Sequence, residues 1–277
     1  MQKWLSSWLL CCATSCATVC STLWLTLYAV PAFAADAAPV LRLSANHWEP
    51  YTGASLPQHG IAADIVATAL SRAGYAADIR VMPWSRALAT TYSGDADGVV
   101  AIWSTNARQS RILYSDSYLS NELFLLYTRP DLGDRTTLDS LSGFRIGVGR
   151  DYDYSDRFLR RNTFKLEPVD RVVQNLLKLS IGRIDMVLED KRIVAYALRT
   201  HREELRNLAP LRYSSAPLFT LPLYFGMNRD HPHAQEIIAA FNVQLKAMRR
   251  DGTLARILRR FDDDSRALQQ FPLPMQP

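Results

Sequence analysis

The sequence predicts an α/β protein built from two similar cycles of strands and helices. Short β-branched runs alternate with segments in which apolar residues recur at helical spacing. This alternation is typical of a mostly parallel sheet that is covered by helices on both faces. It runs through residues 40–102, changes after residue 118 and begins again near residue 145. Two cycles of one kind indicate two lobes of similar architecture.

The first cycle has the order strand, helix, strand, helix, strand. Gly74 stands where a helix commonly ends, and Pro83 suits the first turn of the helix that follows. A loop over residues 46–60, rich in Pro, Gly, His and aromatic residues, follows the first strand. The predicted strands are residues 40–45, 78–82 and 99–102, and the predicted helices are residues 61–70 and 84–92.

The third strand ends in residues that predict a ligand site. Residues 104–106 are hydroxyl and amide residues of the kind that end a strand, so Arg108 stands at its carboxyl end. In open α/β sheets, ligands bind in the crevice at that end. A guanidinium offers a rigid fork of donors that matches a carboxylate or another planar anion. The residues alone therefore predict a small-anion pocket beside the indole of Trp103.

The second cycle follows a strand-like run over residues 123–129 and a boundary at Pro130, Asp131 and Gly133. We expect Asp170 to cap the helix that begins after it. The predicted strands are residues 145–148, 165–169 and 184–188, and the predicted helices are residues 154–161, 171–180 and 191–200. An apolar run over residues 218–227 could return to the first lobe, and two amphipathic helices, residues 234–248 and 254–261, form the tail.

The first residues have the composition of a secretory signal. Lys3 is the only charged residue before Asp36, and residues 32–34 fit a small-x-small cleavage site. We expect a signal peptide over residues 1–34. A membrane anchor is the alternative, but Ser21 and Thr22 interrupt a short apolar run. All four cysteines lie in this leader, so no thiol chemistry is expected in the mature chain.

Charge and motifs exclude several classes of function. The formal net charge is +5, and the basic residues are scattered, which argues against a nucleic-acid partner. The sequence has no nucleophile triad and no phosphate-binding glycine loop. His231 and His233 form the one histidine pair at metal-ligand spacing, and beside Pro232 they are read as a helix-start loop. We expect no metal and no cofactor.

Five segments carry a resemblance: GIAADIVATALSRAGY, ADIRVMPWSRAL, TNARQSRILYSDSY, GRIDMVLED and RRDGTLARILRRF. In order and spacing they resemble the bacterial extracellular solute-binding proteins of family 3, the periplasmic receptors of polar amino-acid ABC transporters. The resemblance implies a two-lobed type II periplasmic-binding-protein fold, with a mostly parallel sheet flanked by helices in each lobe and two strands that cross between them. Lobe 1 would comprise residues 35–126 plus 220–277, and lobe 2 residues 127–219.

The resemblance also implies roles for individual residues. The family's T-x-x-R segment, which holds the ligand's α-carboxylate, corresponds to Thr105 and Arg108. The acidic residue that pairs with the α-ammonium group corresponds to Asp190. Aromatic residues of the first loop pack on the ligand, and here these are Trp48 and Tyr51.

The chain departs from the family pattern at two places. Ile102 and Trp103 replace the small hydroxyl residues that precede the T-x-x-R segment. Residues 149–154, Gly-Arg-Asp-Tyr-Asp-Tyr, replace a glycine followed by hydroxyl residues. Both changes fill space and add polar aromatic groups, so Trp103 and Tyr154 join the expected ligand-binding residues.

Each of these residues also has a purely structural interpretation. Arg108 could face solvent, and Asp190 could only cap the following helix. Trp48 and Trp103 could belong to the core, and Trp84 is expected to pack between helix and sheet.

The sequence thus predicts a monomeric, non-catalytic periplasmic receptor. It would capture a small polar, amino-acid-like or carboxylate-bearing ligand between its lobes and deliver it to the membrane permease of an ABC transporter. One alternative is a sensor partner that presents its closed form to a membrane receptor. Another is a dehydratase of cyclic acids, with Glu49, Asp153 or Glu189 as the acid or base.

Overall fold

The computed structural model describes residues 38–150 and 152–267. The predicted signal peptide with its four cysteines, Asp151 and residues 268–277 lie outside the described residues. The strands are β1 (Val40–Asn46), β2 (Ala76–Met82), β3 (Gly98–Trp103), β4 (Ile112–Tyr114), β5 (Leu119–Tyr127), β6 (Arg145–Gly149), β7 (Lys165–Val169), β8 (Met186–Asp190), β9 (Arg212–Tyr213) and β10 (Phe219–Asn228). The helices are α1 (Ile61–Arg72), α2 (Trp84–Ser93), α3 (Asp156–Leu159), α4 (Val172–Ser180), α5 (Lys191–Thr200), α6 (Ala234–Arg250) and α7 (Thr253–Ala267). Short 3-10 turns cover Pro57–His59, Pro130–Leu132 and Leu138–Leu141.

The described strands form one mixed sheet in the order β2-β1-β3-β10-β5-β8-β6-β7, with β4 beside β10 and β9 beside β5. In the first cycle β1 pairs in parallel with β2 and β3, and in the second cycle β6 pairs in parallel with β7 and β8. The predicted parallel cycles are confirmed. Strands β5 and β10 are antiparallel to each other and join the two cycles.

Helices cover both faces of the sheet in the first cycle. Successive residues of a buried strand point to opposite faces, so each face carries apolar side chains that a helix covers. Val100 belongs to the main apolar core with α1 residues, and Val99 packs in a second cluster with α2 residues such as Leu88. Helices α6 and α7 pack on α1. Within the described residues, no helix combines the length and apolar composition needed to cross a bilayer.

The two cycles begin with the same Arg–Asp arrangement, which explains their similar geometry. In the first, Asp97 accepts the backbone N–H and the side chain of Arg42, with 2.6 Å between Nη2 and Oδ1. In the second, Asp185 accepts the same groups of Arg145, with 3.0 Å between Nη2 and Oδ1. Each arginine also donates to the carbonyl of a glycine with positive φ that stands three residues before the aspartate, Gly94 in the first cycle and Gly182 in the second. In each cycle the Arg–Asp pair links the start of the first strand to the start of the third, β1 to β3 and β6 to β8.

The predicted start of β5 and the predicted cap of α4 were wrong. Strand β5 begins at Leu119, before residue 123, because the buried amide of Asn121 lies inside the strand and breaks its apolar pattern. Asp170 does not cap α4: its carboxylate pairs with Arg150, and the backbone N–H of Arg171 donates to Gln174 instead.

Candidate functional site

The site begins at the carboxyl end of β3. The chain turns sharply there, since the backbone N–H of Arg108 donates to the Thr105 carbonyl and the N–H of Ile112 donates to the Arg108 carbonyl. This turn folds the Arg108 side chain back toward the strand, where it is only 6% exposed. Its Nη1 donates to the Trp103 carbonyl at 3.1 Å, and its guanidinium carbon lies 5.1 Å from the centre of the Trp84 ring. The arginine is therefore held in one orientation.

The second terminal nitrogen of Arg108 contacts a carboxylate from the second cycle. Nη2 forms an ion pair with Oδ2 of Asp153, which lies in the loop after β6. The arginine side chain is buried, whereas the Asp153 side chain is 40% exposed. The ion pair joins the carboxyl ends of β3 and β6, and it includes the arginine for which the sequence predicted an anion pocket beside Trp103.

Aromatic rings from both cycles meet beside this ion pair. Tyr152 lies edge-on to two indoles, with ring centres 6.0 Å from Trp48 and 5.5 Å from Trp103. The two indoles are themselves 5.7 Å apart. Tyr51 stacks on Trp48 at 4.9 Å, and Tyr154 lies 6.2 Å from Trp103. These five residues are called the aromatic cluster below.

A chain of buried hydrogen bonds continues from the aromatic cluster to Asp190. Trp103 Nε1 donates to Asn121 Oδ1 at 3.0 Å, and Asn121 Nδ2 donates to Asp190 Oδ2 at 3.2 Å. The hydroxyl of Tyr51 donates to the same oxygen at 2.9 Å. Asp190 Oδ1 accepts the backbone N–H of Arg192 at 2.7 Å and so caps α5. Asp190 therefore caps α5 and is linked by hydrogen bonds to Tyr51 and, through Asn121, to Trp103.

The space left between these groups is small. A cavity of about 30 Å³ lies among Trp48, Trp84, Trp103, Arg108 and the Tyr152–Asp153 segment. That volume suits about two water molecules. Two buried polar atoms of the described site have no hydrogen-bond partner, Trp48 Nε1 and Thr105 Oγ1.

Glu189 is a buried carboxyl group next to the site. It is 5% exposed, and its Oε1 accepts the backbone N–H of Asp190 at 3.0 Å. Loss of hydration on burial raises the pKa of Glu189 to about 8, and the charge of Asp190 adds to this effect. Burial likewise raises the pKa of Tyr152 well above its ordinary value. Within the described residues, no group of three His, Cys, Asp or Glu side chains could hold a metal ion.

The structure brings the predicted site residues into one region. The members are Trp48, Tyr51, Trp103, Thr105, Arg108, Tyr154 and Asp190. Sequence reasoning missed Asn121 as a link between Trp103 and Asp190. Trp84 packs against Val99 and Ile102 of β3, as expected, but its partly exposed ring also lies against Arg108, a contact that sequence reasoning missed. The position of Trp84 at the start of a helix after β2 was the available signal.

Comparison with known proteins agrees with this architecture. The model of the bacterial extracellular solute-binding proteins, family 3, matches residues 44–263. The L-cystine-binding protein TcyA of Bacillus subtilis (strain 168) is 23% identical over 202 residues, which is 73% of this chain and 72% of TcyA.

Two solved structures show the same fold at low sequence identity. A histidine kinase sensor domain with similarity to periplasmic binding proteins has a TM-score of 0.69 and 18% identity, over 82% of this chain and 97% of that domain. An ancestral arginine-binding protein bound to arginine has a TM-score of 0.67 and 17% identity, over 81% and 99% of the two chains. The fold is thus the two-lobed type II periplasmic-binding-protein fold, and the family match shows that the chain belongs to the bacterial extracellular solute-binding proteins of family 3.

Proposed function

We propose that this protein is a periplasmic receptor that binds a small, amino-acid-like ligand bearing a carboxylate and delivers it to the permease of an ABC transporter. The observation that carries the proposal is the state of Arg108. Its buried guanidinium stands at the carboxyl end of β3, is fixed by Trp103 and Trp84, and pairs with a carboxylate. A ligand carboxylate has the charge and shape to take that position.

We propose that the lobes divide at the crossing strands, with lobe 1 formed by residues 35–126 plus 220–277 and lobe 2 by residues 127–219. Arg108, Thr105, Trp48, Tyr51 and Trp103 then belong to lobe 1. Tyr154 and Asp190 belong to lobe 2. A ligand held by both sets would favour the closed arrangement by its differential affinity, which is the signal that a permease reads. The receptor would act as a monomer after removal of a signal peptide over residues 1–34.

The same geometry supports binding without catalysis. Asp153 is engaged by Arg108, and the high pKa of Glu189 results from burial under the aromatic cluster. Glu49 forms a contact of 3.7 Å with His47.

A ligand screen tests the proposal. The protein is purified from the periplasm and studied by native mass spectrometry, then by thermal melts with the L-amino acids and L-cystine. We expect at least one carboxylate ligand to raise the melting temperature in a concentration-dependent way and to return unchanged in mass after many protein equivalents. Turnover of the ligand would contradict the receptor role.

A sensor role is the second candidate, and the likeness to a histidine kinase sensor domain favours it. In that role the closed form would contact a membrane receptor and not a permease. Uptake of the radiolabelled ligand by cells that lack this protein separates the two roles. Lost uptake supports transport, and unchanged uptake with lost transcriptional response supports sensing.

A further inference from the structure

We propose that Tyr152 and Asp153 occupy the ligand cleft as an internal competitor, and that the ligand that displaces them is an aromatic carboxylate. This inference rests on the proposed function, because it names the chemical class for the same cleft. It follows from four observations about the described residues.

The first observation is that Asp153 holds the position of a ligand carboxylate. Among the described contacts of the Arg108 guanidinium, Nη1 donates to the Trp103 carbonyl, Nη2 pairs with Asp153, and the side chain also interacts with the Tyr92 hydroxyl. A ligand carboxylate can therefore pair with Nη2 of Arg108 only after Asp153 has moved away. Asp153 is 40% exposed and lies in a loop, so its removal from Arg108 returns a carboxylate to water at small cost.

The second observation is that the Tyr152 ring occupies the place beside the two indoles where an aromatic ring of a ligand would bind. Its phenol lies edge-on between the indoles of Trp48 and Trp103, at 6.0 and 5.5 Å. The strand before it is shaped for this placement: a side-chain carbon on Gly149 would lie 2.7 Å from the Tyr152 ring. Glycine at position 149 therefore lets the ring fold against the end of β6. A ligand ring that takes the same place keeps the favourable edge-to-face contacts.

The third observation is that the cleft has no room for a ligand beside these two side chains. The cavity of about 30 Å³ is far below the roughly 300 Å³ at which ligand pockets begin. Displacement of Tyr152 and Asp153 would open one continuous space from Arg108 to the two indoles. Trp48 lines this cavity, and its buried Nε1, which has no hydrogen-bond partner by geometry, would gain an oxygen of the ligand.

The fourth observation concerns the ammonium group of an amino acid. Asp190, its expected partner, is 3% exposed and already accepts hydrogen bonds from Tyr51, Asn121 and the backbone of Arg192. An ammonium group is therefore not needed to satisfy this carboxylate. The ligand requires a ring and a carboxylate, and it does not require an amine.

Chemical complementation tests the inference. The double variant Tyr152→Ala/Asp153→Ala lacks both the ring and the carboxylate of the internal competitor. We expect 4-hydroxyphenylacetate to bind this variant at least tenfold more tightly than wild type in calorimetric titration, and to raise its melting temperature. Tyramine has the ring and an amine but no carboxylate, and acetate has the carboxylate but no ring. Each should bind the double variant at least tenfold more weakly than 4-hydroxyphenylacetate does.

Two single variants keep the test decisive if the double variant is poorly folded. Asp153→Asn retains the shape of the side chain and should bind 4-hydroxyphenylacetate more tightly than wild type because Arg108 loses its internal anion. Gly149→Ala retains both residues, but its methyl group would displace the Tyr152 ring, so this variant should also bind 4-hydroxyphenylacetate more tightly than wild type. Asp139→Asn is the matched control, since Asp139 also pairs with an arginine, Arg161, and is exposed. It should bind like wild type.

Equal affinity of 4-hydroxyphenylacetate for wild type, Asp153→Asn and the double variant would overturn the inference. So would a preference of these folded variants for L-arginine over the aromatic acid. In that second result the proposed receptor function survives, since a carboxylate ligand still binds the cleft, and only the ligand class and the competitor fail.

Discussion

Trp48 and Trp103 are two buried indoles of the same cluster that differ in one hydrogen bond. Trp103 Nε1 donates to Asn121, whereas Trp48 Nε1 has no partner. We expect Trp103→Phe to lower the free energy of unfolding by about 1–3 kcal/mol more than Trp48→Phe, because it leaves the buried Asn121 oxygen without a donor. Urea denaturation of the two variants gives the difference. Equal losses would show that the bond to Asn121 has no net value.

Glu189 predicts a pH dependence of stability. Its pKa is raised to about 8 in the folded protein from an ordinary value of 4.5, so the folded state binds the proton more tightly than the unfolded state. Its stabilising contribution is complete below pH 4.5 and is lost as pH rises toward 8, by up to about 1.4 kcal/mol per pH unit.

Glu189→Gln should flatten this dependence, and urea denaturation at several pH values measures it. The exposed Glu203→Gln is the control and should keep the wild-type slope. A Glu189→Gln profile parallel to that of wild type would contradict the buried, protonated state.

Some residues of the candidate site can be located from the sequence, and others cannot. Arg108 was predictable because a strand followed by polar turn residues fixes its place at a strand end. Asn121 was not, because a polar residue inside a strand gives no indication of the indole and carboxylate that lie across from it. The contact between Asp153 and Arg108 depends on how the two cycles meet, and no local pattern encodes that arrangement.

At the scale of elements, the two Arg–Asp pairs fix the starts of the parallel strands. The hydrogen bonds from Arg145 lower the pKa of Asp185 below its usual 3.8. We expect Asp185→Asn to cost about 1–3 kcal/mol of unfolding free energy at neutral pH, since several charge-assisted bonds are lost. Because the folded pKa is depressed, this contribution is present above pH 3.8 and fades as pH falls through the folded pKa.

Asp78→Asn is the control for this experiment, since Asp78 pairs with Arg80 in an exposed position. This substitution should lower the free energy of unfolding by less than about 0.5 kcal/mol. Thermal melts of both variants at neutral and acidic pH test the expectation. Equal stabilities of Asp185→Asn and Asp78→Asn would count against a structural role for the pair.

Elements with strong local signals were predicted well. Strand β7 and helix α5 have the predicted bounds, and in α5 the helical periodicity agrees with its buried face of Ile193, Val194 and Ala197. Helix α3 is shorter than predicted, because the Tyr154 hydroxyl accepts the backbone N–H of Gly149 and holds residue 154 outside the helix. Tertiary contacts of this kind determine where a helix or strand begins and ends, and they cannot be predicted from sequence periodicity.

For the whole molecule, the ion pair between Arg108 and Asp153 predicts a compact protein without added ligand. We expect Asp153→Asn to increase the radius of gyration in small-angle X-ray scattering, because a charged link across the cleft is lost and the lobes separate. The Asp139→Asn variant should scatter like wild type. Identical curves for Asp153→Asn and wild type would show that the ion pair does not hold the lobes together.

The central claim is that Arg108 binds a ligand carboxylate between the lobes. Its most direct test is calorimetric titration of the carboxylate ligand found in the thermal screen into wild type, Arg108→Lys and Arg108→Ala. We expect Arg108→Ala to lose about 2–5 kcal/mol of binding free energy and Arg108→Lys to recover only part of it, because an ammonium group cannot reproduce the guanidinium fork. Wild-type affinity in Arg108→Ala, with an unchanged fold by circular dichroism, would contradict the account.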